Sequence, residues 1–174
     1  MKKIIAAIFI LLGIGAFFLS RPQAKPQVQN PFESKKIIAG SFDTKKFKSN
    51  EEWKKILTPQ QFNILREEGT EIPFTGALLN EHRKGTFYSV GCNEPVFRSE
   101  QKYESGTGWP SFWAPINPEA VVLREDNSIP GEPRIEVLDK CGGHLGHVFD
   151  DGPDPTGKRY CMNSVALKFV PDEE

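Results

Sequence analysis

The segment GKRYCMNSVALKFV (157–170) carries the clearest strand pattern in the chain. Val165, Leu167 and Phe169 alternate with other residues, so they fall on one face of a strand predicted over 164–170. Runs rich in β-branched and aromatic residues predict three further strands, at 86–90, 121–124 and 134–138. The 15 Gly and 14 Pro favour turns between short elements. We therefore predict a mainly β fold, a small antiparallel domain built as a barrel or as two sheets.

Two short helices are predicted ahead of the strands. Asn50 caps the first helix, which places Trp53 and Ile56 on one face. The sequence TPQQ (58–61) has the form of a capping box with proline at the first helical position, and Gly69 ends the second helix. These helices are expected to pack at the N-terminal end of the β domain.

The overall charge is balanced, with 22 Lys and Arg against 23 Asp and Glu. This balance gives no indication of a nucleic-acid partner. The 13 Phe and 3 Trp instead predict a core or a pocket built from aromatic rings.

The first 20 residues have the pattern of an export signal. Lys2 and Lys3 precede an uninterrupted run of apolar and small residues at 4–19. This run is at the short limit for a membrane span, and the pair RP (21–22) disrupts any cleavage site. We therefore predict three parts for an extracytoplasmic protein of the periplasm or cell envelope: a signal peptide or membrane anchor at 1–20, a linker at 21–49 and a folded domain at 50–174.

The chain has three cysteines, Cys92, Cys141 and Cys161, and an odd number leaves at least one thiol unpaired in an exported protein. Cys161 is the candidate nucleophile, because Arg159 lies two residues before it and a strand would place both side chains on one face. A nearby cation favours the reactive thiolate. The alternative is a small buried residue, as many lone cysteines are. The neighbouring motifs favour the nucleophile.

The motif HLGH places His144 and His147 three residues apart. With Cys141 three residues earlier, a metal site is one interpretation, although no fourth ligand is evident and the glycines predict a tight loop. Two histidines exposed on a loop are another. We favour imidazoles placed beside a reacting oxygen.

Trp109 and Asn163 are the other candidate site residues. In GTGWPS, the flanking Gly and Pro predict an indole presented on a turn, as the wall of a pocket for an apolar group such as a methyl. The alternative for Trp109 is a core position. Asn163 either orients a partner or donates a hydrogen bond to developing charge, or is a simple turn residue.

Together these segments resemble the methionine-R-sulfoxide reductases, the B-type family. The resemblance extends over 53–170 and includes LTPQQFNILREEGTEIPFTG, YESGTGWPSF and GGHLGHVFDDGPDPTGKRYCMNSVALKF. It implies a small β domain of two antiparallel sheets. It also implies that Cys161 attacks the sulfur of methionine sulfoxide.

The same resemblance implies the other roles in the reaction. The sulfoxide oxygen is surrounded by His144, His147 and Asn163, Trp109 packs against the substrate methyl group, and Arg159 favours the thiolate. Attack on sulfur releases methionine and leaves a sulfenic acid, which a thioredoxin-like dithiol reduces. The substrates implied are oxidised proteins that carry methionine-R-sulfoxide, and the apolar N-terminal segment adds contact with a membrane.

The chain departs from the family at two places. Many relatives hold zinc with two CxxC pairs, but Ser89 replaces one cysteine and LDKC (138–141) keeps only Cys141, so we predict no zinc and no other cofactor. Some relatives carry a recycling cysteine where this chain has Thr107, which closes that route. Because zinc ligands converge, the resemblance implies that Cys92 lies near Cys141. We predict a disulfide between them, with two buried free thiols as the alternative.

Two other functions compete with the reductase. A membrane-tethered binding module predicts decay of the site, yet Cys161, His144, His147 and Trp109 are all present. A cysteine hydrolase would use Cys161, a histidine and Asn163, but it also needs an oxyanion hole, of which the sequence gives no independent sign.

Overall fold

The domain consists of two antiparallel sheets with two short helices beside them. The computed structural model describes residues 35–173. Within this range the α-helices are α1 (Asn50–Ile56) and α2 (Pro59–Glu67), and the strands are β1 (Ile37–Ala39), β2 (Gly85–Ser89), β3 (Pro95–Arg98), β4 (Lys102–Tyr103), β5 (Ser111–Phe112), β6 (Val122–Asp126), β7 (Arg134–Leu138), β8 (His144–Phe149), β9 (Arg159–Met162) and β10 (Leu167–Pro171). The predicted fold class is confirmed.

The larger sheet has the strand order β1-β6-β7-β8-β9-β5-β4, and the smaller sheet has the order β10-β2-β3. The predicted strand at 134–138 is β7, and those at 86–90 and 121–124 correspond to β2 and β6 with bounds shifted by one or two residues. The strand predicted over 164–170 starts late, because Ser164–Ala166 forms a 3-10 turn.

The late start of β10 has a direct cause in backbone hydrogen bonding. The N–H groups of Ser164 and Val165 donate to the carboxylate of Glu71, at 2.7 and 3.0 Å. They are therefore not available to a neighbouring strand, and β10 pairs with β2 only from Leu167 onward.

The first helix starts one residue earlier than predicted. Ser49, not Asn50, is its N-cap, and it forms a capping box with Glu52. Trp53 is buried as predicted, but Ile56 is 59% exposed because the helix ends there and only one turn faces the core.

The second helix begins as predicted. Thr58 and Gln61 form a capping box, and Pro59 occupies the first helical position. The helix ends at Glu67, and Glu68 rather than Gly69 adopts the left-handed conformation, with φ of 55°. Burial of Phe62 and Leu65 joins this helix to the core.

Aromatic rings fill the space between the two sheets, as the composition predicts. Phe87 and Phe97 from the smaller sheet contact Phe112 from the larger one, and all three are fully buried. The rings of Phe97 and Phe112 are stacked with centroids 4.4 Å apart, whereas Phe87 meets Phe112 edge-on at 5.0 Å. This core holds β5, the strand that pairs with β9 in the larger sheet, in a fixed position.

The predicted export segment (1–20) lies outside the described residues, as does the first part of the predicted linker (21–49). The described part of that linker packs on the domain, since β1 adds an edge strand to β6. Lys35 also pairs with Glu68 at 2.8 Å, and the Asp43 N–H donates to the carbonyl of Lys140. Among residues 35–173, no helix combines the length and the apolarity needed to cross a bilayer.

Candidate active site

One row of residues across the larger sheet contains the centre of the site. Cys161 on β9 lies directly opposite His147 on β8 and Ser111 on β5. The row continues through Glu136 on β7, which lies opposite His147. Residues opposite one another in antiparallel strands share a face. Register therefore places a thiol, an imidazole and a carboxylate on the same face of the sheet.

A bulge in β8 brings the two histidines of HLGH together. Gly146 pairs with Val137 and His144 pairs with Leu138, so Leu145 is an extra residue on β8. Residues three apart in a regular strand point to opposite faces, but here the imidazole centroids of His144 and His147 lie 5.3 Å apart. The prediction of a tight loop at this motif is wrong, because both histidines lie on a strand.

The bulge also requires glycine at its centre. A Cβ added at Gly146 would lie 2.1 Å from the carbonyl oxygen of Cys161. No side chain fits at that distance, so Gly146 permits β8 and β9 to approach closely beside the thiol.

His144 is a buried member of an ionic network. Its Nδ1 lies 2.7 Å from Oε1 of Glu136, whose other oxygen accepts a hydrogen bond from Nε of Arg124 at 2.9 Å. Burial opposes ionisation of Glu136, yet contact with His144 and Arg124 leaves its pKa below the ordinary value. Among the described residues, Nε2 of His144 is buried and has no hydrogen-bond partner. Cys161 lines a cavity that we call the reaction cavity. His144 sits behind this cavity and does not line it.

His147 is the histidine that lines the cavity. Its Nε2 lies 2.7 Å from Oδ2 of Asp126, which also accepts from Arg134 at 2.7 Å. Burial of Asp126 opposes ionisation, but hydrogen bonds from Ser128, His147 and Arg134 lower its pKa. An ionised carboxylate only accepts hydrogen bonds, so Nε2 carries its proton toward Asp126 and Nδ1 is the nitrogen left for chemistry. Burial lowers the pKa of His147, and the hydrogen bond to Asp126 opposes this shift.

The reaction cavity has a volume of about 150 Å³ and is open on one side. Cys161 is the cysteine left unpaired among the described residues, and its side chain is partly exposed in this cavity. The lining surface is mostly apolar, and the residues that contribute to it include Thr70, Trp109, Arg134, His147, Phe149 and Asn163. A volume of this size suits one unbranched side chain with a small polar head.

Asn163 holds the cavity wall through backbone groups. Its Oδ1 accepts from the N–H of Glu71 at 3.0 Å, and its Nδ2 donates to the carbonyl of Leu145 at 3.1 Å. Nε1 of Trp109 donates to the carbonyl of Glu71 at 3.1 Å. Glu71 is therefore fixed at three points, since its carboxylate also accepts from Ser164 and Val165. Burial raises the pKa of the Glu71 carboxyl against those last two hydrogen bonds.

Arg159 lies on the same face of β9 as Cys161, as the i, i+2 spacing in a strand requires. Its guanidinium makes a two-point contact with Asp151, each distance being 2.8 Å, and lies over the ring of Phe149 at 4.3 Å. The hydrogen bonds to Asp151 and the charge of Cys161 raise the pKa of Arg159. Arg159 does not line the cavity and lies beside the thiol, two residues along β9.

A chain of hydroxyl groups ends at the thiol. Ser111 Oγ and Ser105 Oγ lie 2.7 Å apart, and Ser105 Oγ lies 2.8 Å from Thr107 Oγ1. Thr107 Oγ1 is 3.8 Å from Sγ of Cys161. A hydroxyl cannot condense with a sulfenic acid to give a disulfide. Thr107 therefore stands where a recycling thiol would be within reach of Cys161, but it cannot act as one.

The second cysteine pair lies around the buried carboxylate of Asp139. Sγ atoms of Cys92 and Cys141 are 2.19 Å apart, with Cα atoms at 5.4 Å. Asp139 Oδ1 accepts from the N–H groups of Cys141 and Gly143 at 2.9 and 2.7 Å, while Oδ2 accepts from the Cys92 N–H at 3.2 Å and from Ser89 Oγ. Burial raises the pKa of Asp139 despite these contacts.

The donor set around Asp139 has fewer ligands than a structural zinc ion takes. Within residues 35–173 the candidate ligands here are two sulfurs and one carboxylate, Cys92, Cys141 and Asp139. A structural zinc ion takes four ligands, and the oxygens of this carboxylate are already used by four donors.

Sequence reasoning missed the residues that orient the histidines. The sequence did contain a signal for these residues, because each is a charged side chain within a predicted strand or next to one. The residues concerned are Asp126, Arg134 and Glu136. Their contacts with His144 and His147 depend on strand order, which the local pattern does not contain. The structure brings four of the six predicted site residues to the cavity, namely Cys161, His147, Trp109 and Asn163, and places His144 and Arg159 next to it.

The fold and the surroundings of Cys161 define a thiol-dependent enzyme on a two-sheet β scaffold. Residues 57–171 match the SelR domain. The chain therefore belongs to the SelR family, and the predicted relationship to the B-type methionine sulfoxide reductases is confirmed.

Proteins named as reductases are similar to this chain over most of its length. The peptide methionine sulfoxide reductase MsrB of Methanosarcina barkeri is 55% identical over 128 residues, 73% of this chain and 89% of its own. That of Leptospira interrogans is 56% identical over 123 residues, covering 70% and 93%. The mitochondrial methionine-R-sulfoxide reductase B2 of Rattus norvegicus is 50% identical over 133 residues, covering 72% and 76%.

Proposed function

We propose that the protein reduces the R epimer of peptide-bound methionine sulfoxide to methionine. The observation that carries this proposal is the placement of Cys161 opposite His147 in a cavity walled by Trp109. The indole face accommodates a methyl group, and the thiol and the imidazole then meet the sulfur and the oxygen of the same sulfoxide. The names and the identities of the relatives support the same activity.

The reaction balances with one thiol and two reducing equivalents. The Cys161 thiolate attacks the sulfoxide sulfur and forms an S–S bond as the oxygen is protonated. The protonated oxygen then transfers to Sγ as the S–O bond to the methionine sulfur and the S–S bond break, so methionine leaves and Cys161 becomes a sulfenic acid. A dithiol then supplies two electrons: its first sulfur displaces the hydroxyl as water, and its second sulfur displaces Cys161 as a thiol. The sulfoxide is reduced and the dithiol is oxidised to a disulfide.

His147 is the proposed proton donor to the sulfoxide oxygen. Nδ1 delivers the proton when the imidazole is charged, and Asp126 stabilises that charge through Nε2. His144 and Glu136 act behind this pair by holding the bulged strand β8 in place. Asn163 orients the wall through Glu71 and Leu145, and its second Nδ2 hydrogen is free to approach the bound oxygen.

The electron donor is proposed to be an external thioredoxin-like dithiol. Thr107 lies where an internal thiol would have to be, and its hydroxyl cannot form the disulfide. The sulfenic acid therefore persists until a second protein or a small dithiol reaches the open cavity.

We propose that the protein acts outside the cytoplasm on oxidised exported proteins, and that it holds no zinc. The apolar N-terminal run supports export to a membrane-bounded compartment. The proximity of Cys92 and Cys141 supports a disulfide, which an oxidising compartment maintains. This disulfide would join the two loops that zinc joins in relatives with four cysteines.

Epimer-resolved turnover tests the proposal. The protein is incubated with dithiothreitol and peptides containing either the R or the S form of methionine sulfoxide, and the methionine peptide is quantified by chromatography. We expect the R peptide alone to be consumed, with no turnover by Cys161→Ser and normal turnover by the matched variant Cys92→Ser/Cys141→Ser. Consumption of both epimers, or full activity in Cys161→Ser, would refute the assignment.

A further inference from the structure

Two large apolar side chains are exposed beside the reaction cavity. Ile72 and Phe74, which we call the apolar shelf, are 71% and 68% exposed. They exceed the exposure of every other large apolar residue in the described part of the chain. Single exposed apolar residues are common, but this pair follows directly on Thr70, which lines the reaction cavity.

The shelf is held in place from below. Glu71, between Thr70 and the shelf, is tied to Asn163 and Trp109 through its backbone groups. The N–H of Phe74 donates to the carbonyl of Gly108 at 2.8 Å, next to Trp109. The segment is therefore fixed relative to the cavity and does not move as an independent loop.

Phe74 adopts a strained backbone conformation to stay exposed. Its φ is 67°, in the left-handed region, which costs a bulky residue about 1–3 kcal/mol. Close packing underneath imposes this geometry, since a Cβ added at Gly108 would lie 2.7 Å from Cβ of Pro73 and 2.9 Å from N of Phe74. Because the Phe74 ring is exposed, packing within the domain does not compensate for this strain. This points to a contact that the ring makes with another molecule.

A second cavity is lined by Phe74 of the shelf and by Trp109, which also lines the reaction cavity. It has a volume of about 160 Å³, and its lining includes Phe74, Tyr103, Gly108 and Trp109. Trp109 lines both cavities and forms the wall between them. Lys102 also lines the second cavity, but its Nζ already donates a hydrogen bond to the carbonyl of Leu79.

We infer that the shelf and the second cavity bind an apolar side chain of the substrate polypeptide, two residues from the methionine sulfoxide. This inference rests on the proposed function. In an extended peptide, side chains at i and i±2 point the same way and lie about 7 Å apart. This separation is enough to place one side chain on each side of the Trp109 indole. A sulfoxide side chain in the reaction cavity thus places its i±2 neighbour over Phe74 and Ile72. The enzyme would then select apolar flanking residues of the kind that an unfolded segment exposes.

Paired peptides and paired variants test the site in the full-length protein. One R-sulfoxide peptide has Leu at both i−2 and i+2, and the other has Ser at both. The small substrate is N-acetyl-methionine-R-sulfoxide amide. We expect kcat/KM to be about tenfold higher for the Leu peptide, the effect of burying roughly half of a leucine side chain.

The variant Ile72→Ser/Phe74→Asn removes the shelf while keeping a residue that tolerates positive φ at position 74. We expect it to lose the Leu preference and to keep the wild-type rate on the small substrate, whereas the control Ile56→Ser keeps both. Ile56 is 59% exposed and lines neither cavity.

Three outcomes would overturn the inference. Equal rates on the two peptides with normal turnover of the small substrate would refute the docking site alone. Equal rates together with a changed sedimentation coefficient in the double variant would assign the shelf to contact between copies of this chain. Absence of turnover on the small substrate and on both peptides by the unaltered protein would refute the proposed function and the docking site with it.

Discussion

Breaking the proposed Cys92–Cys141 disulfide should lower the free energy of unfolding of the domain by a large and calculable amount. The two cysteines are separated by 49 positions, and a cross-link that closes a loop of this length stabilises the folded state by about 4 kcal/mol. A domain of this size has a total free energy of unfolding of about 5–15 kcal/mol, so the proposed disulfide would contribute about a quarter of it or more. The hydrogen bonds around Asp139 remain in the unlinked protein and do not substitute for the loop constraint.

Urea unfolding followed by tryptophan fluorescence measures this effect. The background is Cys161→Ser, which removes the free thiol and prevents disulfide exchange, and the comparison is the triple serine variant. We expect the midpoint to fall by about 2 M urea at an m-value of about 2 kcal/mol/M. Dithiothreitol should lower the midpoint of Cys161→Ser by a similar amount and leave the triple variant unchanged.

Thiol counting provides the decisive control. Alkylation under denaturing, non-reducing conditions should find no free thiol in Cys161→Ser. Two free thiols, together with a midpoint insensitive to dithiothreitol, would refute the disulfide. A midpoint that falls on addition of a metal chelator would refute the argument against zinc.

The remaining predictions concern the surroundings of the thiol. Asp126→Asn removes the carboxylate whose hydrogen bond raises the pKa of His147, so His147 loses its proton at a lower pH. The alkaline limb of the kcat/KM profile should therefore move to lower pH. A limb that does not move would exclude His147 as the proton donor. Glu136→Ala removes the buried carboxylate that pairs with Arg124 and His144, while Arg124 keeps its contact with Glu68. The loss of this ion pair should cost about 3–5 kcal/mol in urea unfolding, and a loss below about 1 kcal/mol would contradict the network. Thr107→Cys places a second sulfur where Thr107 Oγ1 now lies 3.8 Å from Sγ of Cys161. One turnover should then leave a disulfide with Cys161 and no sulfenic acid that dimedone can label, whereas the control Thr107→Ser should still be labelled. Labelling of both variants would show that the two thiols do not meet.

Local sequence patterns predicted those elements whose signal lies in neighbouring residues. The capping box at Thr58 and the composition of the run that forms β7 were sufficient because both are features of neighbouring residues. Short strands such as β4 and β5 were not predicted, because two residues carry no periodicity and their pairing is set by partners far away in the chain.

The candidate site divides in the same way. The sequence by itself identified Cys161 and Trp109 and placed His147 beside them, since the residue types and glycine-rich motifs are local features. It did not identify Asp126 or Glu136, which orient the histidines from two other strands.

Only the tertiary structure decided which histidine lines the cavity. A three-residue spacing on a strand sends His144 and His147 to opposite faces unless an extra residue intervenes, and the bulge at Leu145 depends on pairing with β7. Sequence determines which groups are available for the chemistry. Strand order and register determine which of them meet, because hydrogen bonding between strands acts across long separations that a local pattern does not record.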